Sequence, residues 1–87
     1  MATSTVIHEG QTYTFKGRAM THAVITTLDD RKPLVEFAGS LAKATKNADA
    51  RDSRVEKVRR GEQLQGCYST EWHRHVVETV IVPVSIG

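Results

Sequence analysis

Apolar and polar positions alternate most cleanly near the start of the chain. In TVIHEGQTYTF, residues 5–15, two β-prone runs flank the polar stretch His8-Glu9-Gly10-Gln11. Gly10 supplies the left-handed backbone that a tight turn needs, so the pattern predicts a hairpin. Tyr13 and Phe15 fall on one face of its second strand and Thr12 and Thr14 on the other, as a half-buried sheet requires.

THAVITTL, residues 21–28, is rich in β-branched residues and predicts a third strand. Asp29-Asp30-Arg31-Lys32-Pro33 reads as a polar connector. The stretch beyond Pro33 admits two readings. Leu34, Phe37, Ala38, Leu41, Ala44, Thr45 and Ala48 recur at helical spacing, so one helix could begin near Arg31. The alternative makes LVEFA a strand paired with THAVITTL and lets Ser40, after Gly39, cap a helix SLAKATKNADA. The divided reading is favoured, because Val35 and Phe37 are strand formers and Gly39 is costly inside a helix.

The helix stripe Leu41, Ala44, Thr45 and Ala48 should pack on a sheet, with Lys43 and Lys46 turned away. Arg51-Asp52-Ser53 reads as a turn that ends this helix near Ala50, and RVEKVRR as a short charged edge strand. GEQLQGCYST reads as a loop. HVVETVIVPV is the most apolar strand and is expected to be central, with Pro83 near its end. The expected fold is one α+β domain over residues 1–87: a mostly antiparallel sheet of about five or six strands, covered on one face by a single helix.

Size and composition narrow the function classes. Eighty-seven residues support a single core. Apolar residues at 39% and charged residues at 25% mark a globular chain. Cys67 is the single cysteine, which excludes an intrachain disulfide scaffold. The N-terminus lacks a signal-peptide pattern, and the longest apolar stretch, VVETVIVPVSIG, is too short for a membrane helix and contains Glu78 and Pro83. A cytoplasmic protein without membrane contact is expected.

The net charge of +2 hides an uneven distribution: residues 31–60 carry nine basic and four acidic side chains, a net of +5. Lys43, Lys46, Arg51, Arg54, Lys57, Arg59 and Arg60 are therefore the candidate contact residues for a nucleic acid or another partner. Asp49, Asp52 and Glu56 are interleaved with them, and no aromatic side chain lies within residues 40–62 to stack on bases.

Catalytic and metal chemistry find less support. His73 and His75 would share one face of a strand, where paired imidazoles can hold zinc or copper, with Cys67, Glu71, His8 or His22 completing the shell. A structural zinc site normally shows two ligand pairs, and Cys67 has no partner cysteine, so the two histidines are read as the solvent-facing start of the terminal strand. Cys67 lacks an orienting third group for nucleophilic chemistry. Asp29 and Asp30, being adjacent, diverge and suit acid–base partnership poorly. No Walker or dinucleotide glycine pattern occurs. The expectation is a non-enzymatic protein with no catalytic residues, metal or cofactor.

In THAVITTL, VEFAGSLAKATKNADA and RVEKV the chain resembles small accessory proteins of phages that infect actinobacteria. In that group a strand ending in an aromatic residue is followed by Gly-Ser, a lysine–alanine helix and a charged strand. The likeness covers residues 21–60 and brings no active-site residue. It implies a short protein made in an infected cell that acts by binding a host or phage component. With no catalytic set, an uneven charge surface and exposable strands, the leading expectation is a protein that binds another macromolecule, a protein partner, through a sheet face or edge, acting in the host cytoplasm if phage-encoded. The alternative is nucleic-acid binding through residues 43–60. A homodimer formed by pairing the terminal strand across a two-fold axis is also expected.

Overall fold

In the computed structural model, which describes residues 2–66 and 70–86, the elements follow the order β1 (Ala2–His8), β2 (Gln11–Gly17), β3 (His22–Leu28), β4 (Leu34–Ala38), α1 (Leu41–Arg59), α2 (Thr70–Arg74), β5 (Val76–Pro83) and β6 (Ser85–Ile86). All strand pairs are antiparallel. The α+β class and the single main helix are as the sequence predicts, but the strands divide into two sheets of order β2-β1-β6 and β4-β3-β5.

The hairpin forms where expected. Glu9 and Gly10 both have positive φ, 50° and 79°, between the paired His8 and Gln11, and this combination defines the primed turn whose twist matches a two-residue hairpin. The β1–β2 sheet then stacks on the second sheet. Val6 and Tyr13 from the first pack with Ala23, Ile25, Val35, Phe37, Val80 and Val82 from the second, and the Phe15 and Phe37 rings lie 5.7 Å apart.

On its opposite face the second sheet carries α1. Val24, Ala38 and Ile81 pack against Ala44 and Ala48. Strand β3 is thus covered on both sides, which explains why Ala23, Val24, Ile25 and Thr26 are buried without interruption. It is β3, not the terminal strand, that is central. Strand β5 lies at the sheet edge and leaves Val77 exposed.

The helix runs past the expected stop near Ala50, and RVEKVRR forms its last turns rather than a strand. Buried residues Ala44, Ala48, Arg51, Val55 and Val58 recur at intervals of three and four along one face. Val55 packs with Leu28 and Val76, partly covered by Trp72. That burial outweighs the weak turn preference of Arg51-Asp52-Ser53, since helix propensities differ by only about 0.7 kcal/mol among ordinary residues. Ser40 caps the start: its Oγ accepts from the Lys43 backbone N–H at 3.1 Å. The true stop is Gly61, with φ of 86°. Its N–H donates to Val58 O and that of Glu62 to Lys57 O, each at 3.0 Å, the paired bonds of a Schellman cap. Of the expected stripe, Ala44 and Ala48 are buried, whereas Leu41 and Thr45 are exposed.

Candidate functional site

Extending the helix to Arg59 changes the meaning of the basic segment. With about 3.6 residues per turn, Lys43, Lys46, Arg54 and Lys57 line up along one side of α1, with the small residues Ala50 and Ser53 among them. Asp49, Asp52 and Glu56 line up along the other side. Charges interleaved in the sequence are separated in space, into a basic row and an acidic row on either side of the buried face.

Each charged row borders its own groove. Arg54 and Lys57, with Ala50 and Ser53, line an open groove of about 540 Å³ closed on its far side by Glu62, Gln63, Leu64 and Gln65. Asp52, Glu56 and Arg59 line a smaller groove of about 230 Å³ against Val76, Val77, Glu78 and Thr79 at the edge of β5. Arg59 therefore belongs to the acidic side. Arg60 is engaged by Glu62 at 3.0 Å. Of the seven predicted contact residues, the structure brings four into one row.

Arg51 is the one that leaves the surface. Its side chain is buried, its Nη1 donates to Thr26 Oγ1 at 2.8 Å, and its Nη2 is ion-paired with Glu36. The guanidinium also lies 4.8 Å from the Trp72 ring centroid. Arg51 joins α1 to β3, β4 and α2, and does not belong to a contact surface as the sequence had suggested.

The histidine pair is likewise rearranged. Residues Thr70–Arg74 form the short helix α2, so His73 and His75 do not start a strand. His73 is buried, and its Nε2 accepts from Arg54 Nε at 3.2 Å. His75, just beyond α2, turns instead to the β3–β4 connector. Its Nδ1 is 2.8 Å from Asp29 Oδ1, and its Nε2 is 3.3 Å from Glu71 Oε1 and 3.6 Å from Asp30 Oδ2. Arg31 grips Asp30 with two bonds of 2.9 and 2.8 Å and holds its carboxyl below the usual range. The hydrogen bond with Asp29 raises the His75 pKa above its ordinary value; partial burial opposes this, and Glu71 and Asp30 add to it.

Asp29, Asp30 and His75 are the one group among the described residues whose ligand atoms lie within 4.8 Å of one another. Those atoms are already engaged in ion pairs, and the group is read as an ion-pair cluster. His73 and His75 point to different elements, so they form neither a paired-imidazole arrangement nor the solvent-facing start of a strand. His22 bonds to Thr21 Oγ1 at 2.8 Å and His8 sits beside Glu9, so neither joins them. Cys67 lies outside the described residues. Nothing in the sequence flagged the tie between His75 and Asp29, which are 46 residues apart.

Stacked as sheet, sheet and helix, the described residues define a small three-layer α+β domain whose exposed helix is charge-sorted. No protein-family model matches the chain, nor does any curated protein or solved structure. Among the described residues no helix is long and apolar enough to cross a membrane.

Proposed function

We propose that this protein is a non-enzymatic binding module, and that α1 is the element that docks on a protein partner. The separation of Lys43, Lys46 and Lys57, with half-buried Arg54 among them, from Asp49, Asp52 and Glu56 on the other side of α1 carries this reading. A polyanion lying along the helix gains from the first row and is repelled by the second. A protein surface bearing both signs complements both rows, which favours specificity over bulk attraction. Nucleic-acid binding through the basic row alone is the competing reading. The resemblance to phage accessory proteins suits a partner in the host cytoplasm, of host or phage origin.

The test is capture of partners from the cell of origin, with and without nuclease, using the native chain and two row reversals. One carries Lys43→Glu with Lys46→Glu and Lys57→Glu; the other carries Asp49→Lys with Asp52→Lys and Glu56→Lys. Retention of one protein after nuclease, lost with either reversal, supports docking through α1. Loss on nuclease treatment together with sensitivity only to the basic reversal establishes the nucleic-acid reading. A partner retained by both reversals removes α1 from the interface.

A further inference from the structure

Both ring nitrogens of His75 face carboxylates. Asp29 lies at Nδ1, while Glu71 and, farther off, Asp30 lie at Nε2. A neutral imidazole has one N–H and one lone pair, so it can donate on one side only. The imidazolium has two N–H groups and donates on both. The site is complementary to one protonation state, irrespective of the tautomer assigned to the ring.

We propose that protonated His75 clamps α2 to the β3–β4 connector, and that loss of this proton loosens that junction. The clamp stands on different residues from the charged rows and holds whether or not α1 has a partner.

The chain segments concerned make the consequence local. Five residues are too few for a helix to persist alone, so α2 depends on its attachments. Asp29 N–H donates to His75 O at 2.9 Å, which fixes the backbone of the junction. Toward the His75 ring the side-chain tie from α2 is Glu71, whereas toward α1 the helix is held by His73 on Arg54 and by Trp72 over Arg51. The charged groups around the ring are Asp29, Asp30 and Arg31 from the connector and Glu71 with Arg74 from α2. Arg31 is committed to Asp30, and Arg74 to Glu71 at 3.0 Å. Removing the His75 proton therefore leaves Asp29 and Glu71 on opposite sides of a neutral ring that can bond only one of them. The upward displacement of the His75 pKa agrees with this geometry.

Trp72 makes the motion measurable, because it is the only tryptophan in the chain and lies within α2, over the Arg51 guanidinium. The experiment follows Trp72 emission and the NMR ring shifts of each histidine against pH. The expected result is one emission step whose midpoint coincides with a His75 pKa above the ordinary value of about 6.5. His75→Gln should abolish the step while the amide spectrum stays folded, and Glu71→Gln should lower its midpoint. Should His75→Gln fail to fold, Asp29→Asn serves in its place and should also lower the midpoint. The clamp is refuted if His75 titrates at or below its ordinary value, or if emission stays flat while His75 titrates. Persistence of the step in His75→Gln also refutes it and transfers the effect to His73, which bonds Arg54.

Discussion

Arg51 and Trp72, 21 positions apart in the sequence, meet with the guanidinium 4.8 Å from the ring centroid. The same guanidinium bonds Thr26 and pairs with Glu36, so one side chain joins α1 to two strands and to α2. Its place on the buried face, between Ala48 and Val55, makes it a structural residue.

Arg51→Ala should therefore destabilise the fold by about 2–3 kcal/mol. Breaking a buried pair costs about 3–5 kcal/mol, and the figure is reduced here because the Glu36 side chain is 36% exposed. Replacing Arg51 by Met together with Glu36→Gln should cost less, since no charge is then left behind. Urea unfolding of the three proteins checks both statements. An Arg51→Ala variant as stable as the native chain would contradict the assigned role.

The start of α1 gives a second prediction. Ser40 Oγ accepts the Lys43 N–H in an extended-backbone cap. Ser40→Ala should lower stability by about 1 kcal/mol and Ser40→Gly by a few tenths. Thermal unfolding by circular dichroism resolves the difference.

Ala44 is fully buried against Val24 and Ala38. Ala44→Leu should force α1 away from the sheet and cost about 1–3 kcal/mol. Leu41→Ala, at a position 55% exposed, should change stability far less. A reversed ranking in denaturant melts would mean that the helix sits in another rotation.

The pH dependence of stability follows in sign from His75. Its raised folded pKa means that the folded state holds the proton more tightly than the unfolded chain. The resulting stabilisation is complete below the unfolded value of about 6.5 and is lost as pH rises through the folded pKa. Urea midpoints across that interval should fall with pH, and His75→Gln should remove this component.

The free side of β5 supports the expected self-association as a proposal. No strand among the described residues pairs with it beyond β3, and Val77 is 57% exposed there. Light scattering over a concentration series should show a shift from monomer to dimer, which Val77→Lys should suppress. A monomeric mass throughout contradicts it.

Local chemistry accounts for what was legible in the sequence. The His8–Gln11 turn, the strands around THAVITTL and LVEFA, and the Ser40 cap are set by neighbours within a few residues. So is the end of β5 at Pro83. The helix end is not legible locally: Arg51-Asp52-Ser53 resembles a turn by residue type, while the capping glycine is Gly61, two residues beyond Arg59. Val55 and Val58 fit a short strand pattern within RVEKVRR, yet in the fold they continue the spacing of Ala44 and Ala48.

Short-range patterns along the chain specify the α+β class, the antiparallel strands up to β4, the point where the main helix begins and the excess of positive charge in the middle of the chain. Tertiary structure decided that the strands split into two stacked sheets, that β3 is central, and that Arg51 is buried. It also decided that His75 meets Asp29 and Glu71 at once. The reason is physical: hydrogen-bonded turns and caps depend on near neighbours, whereas burial and ion pairing depend on which distant surfaces come together.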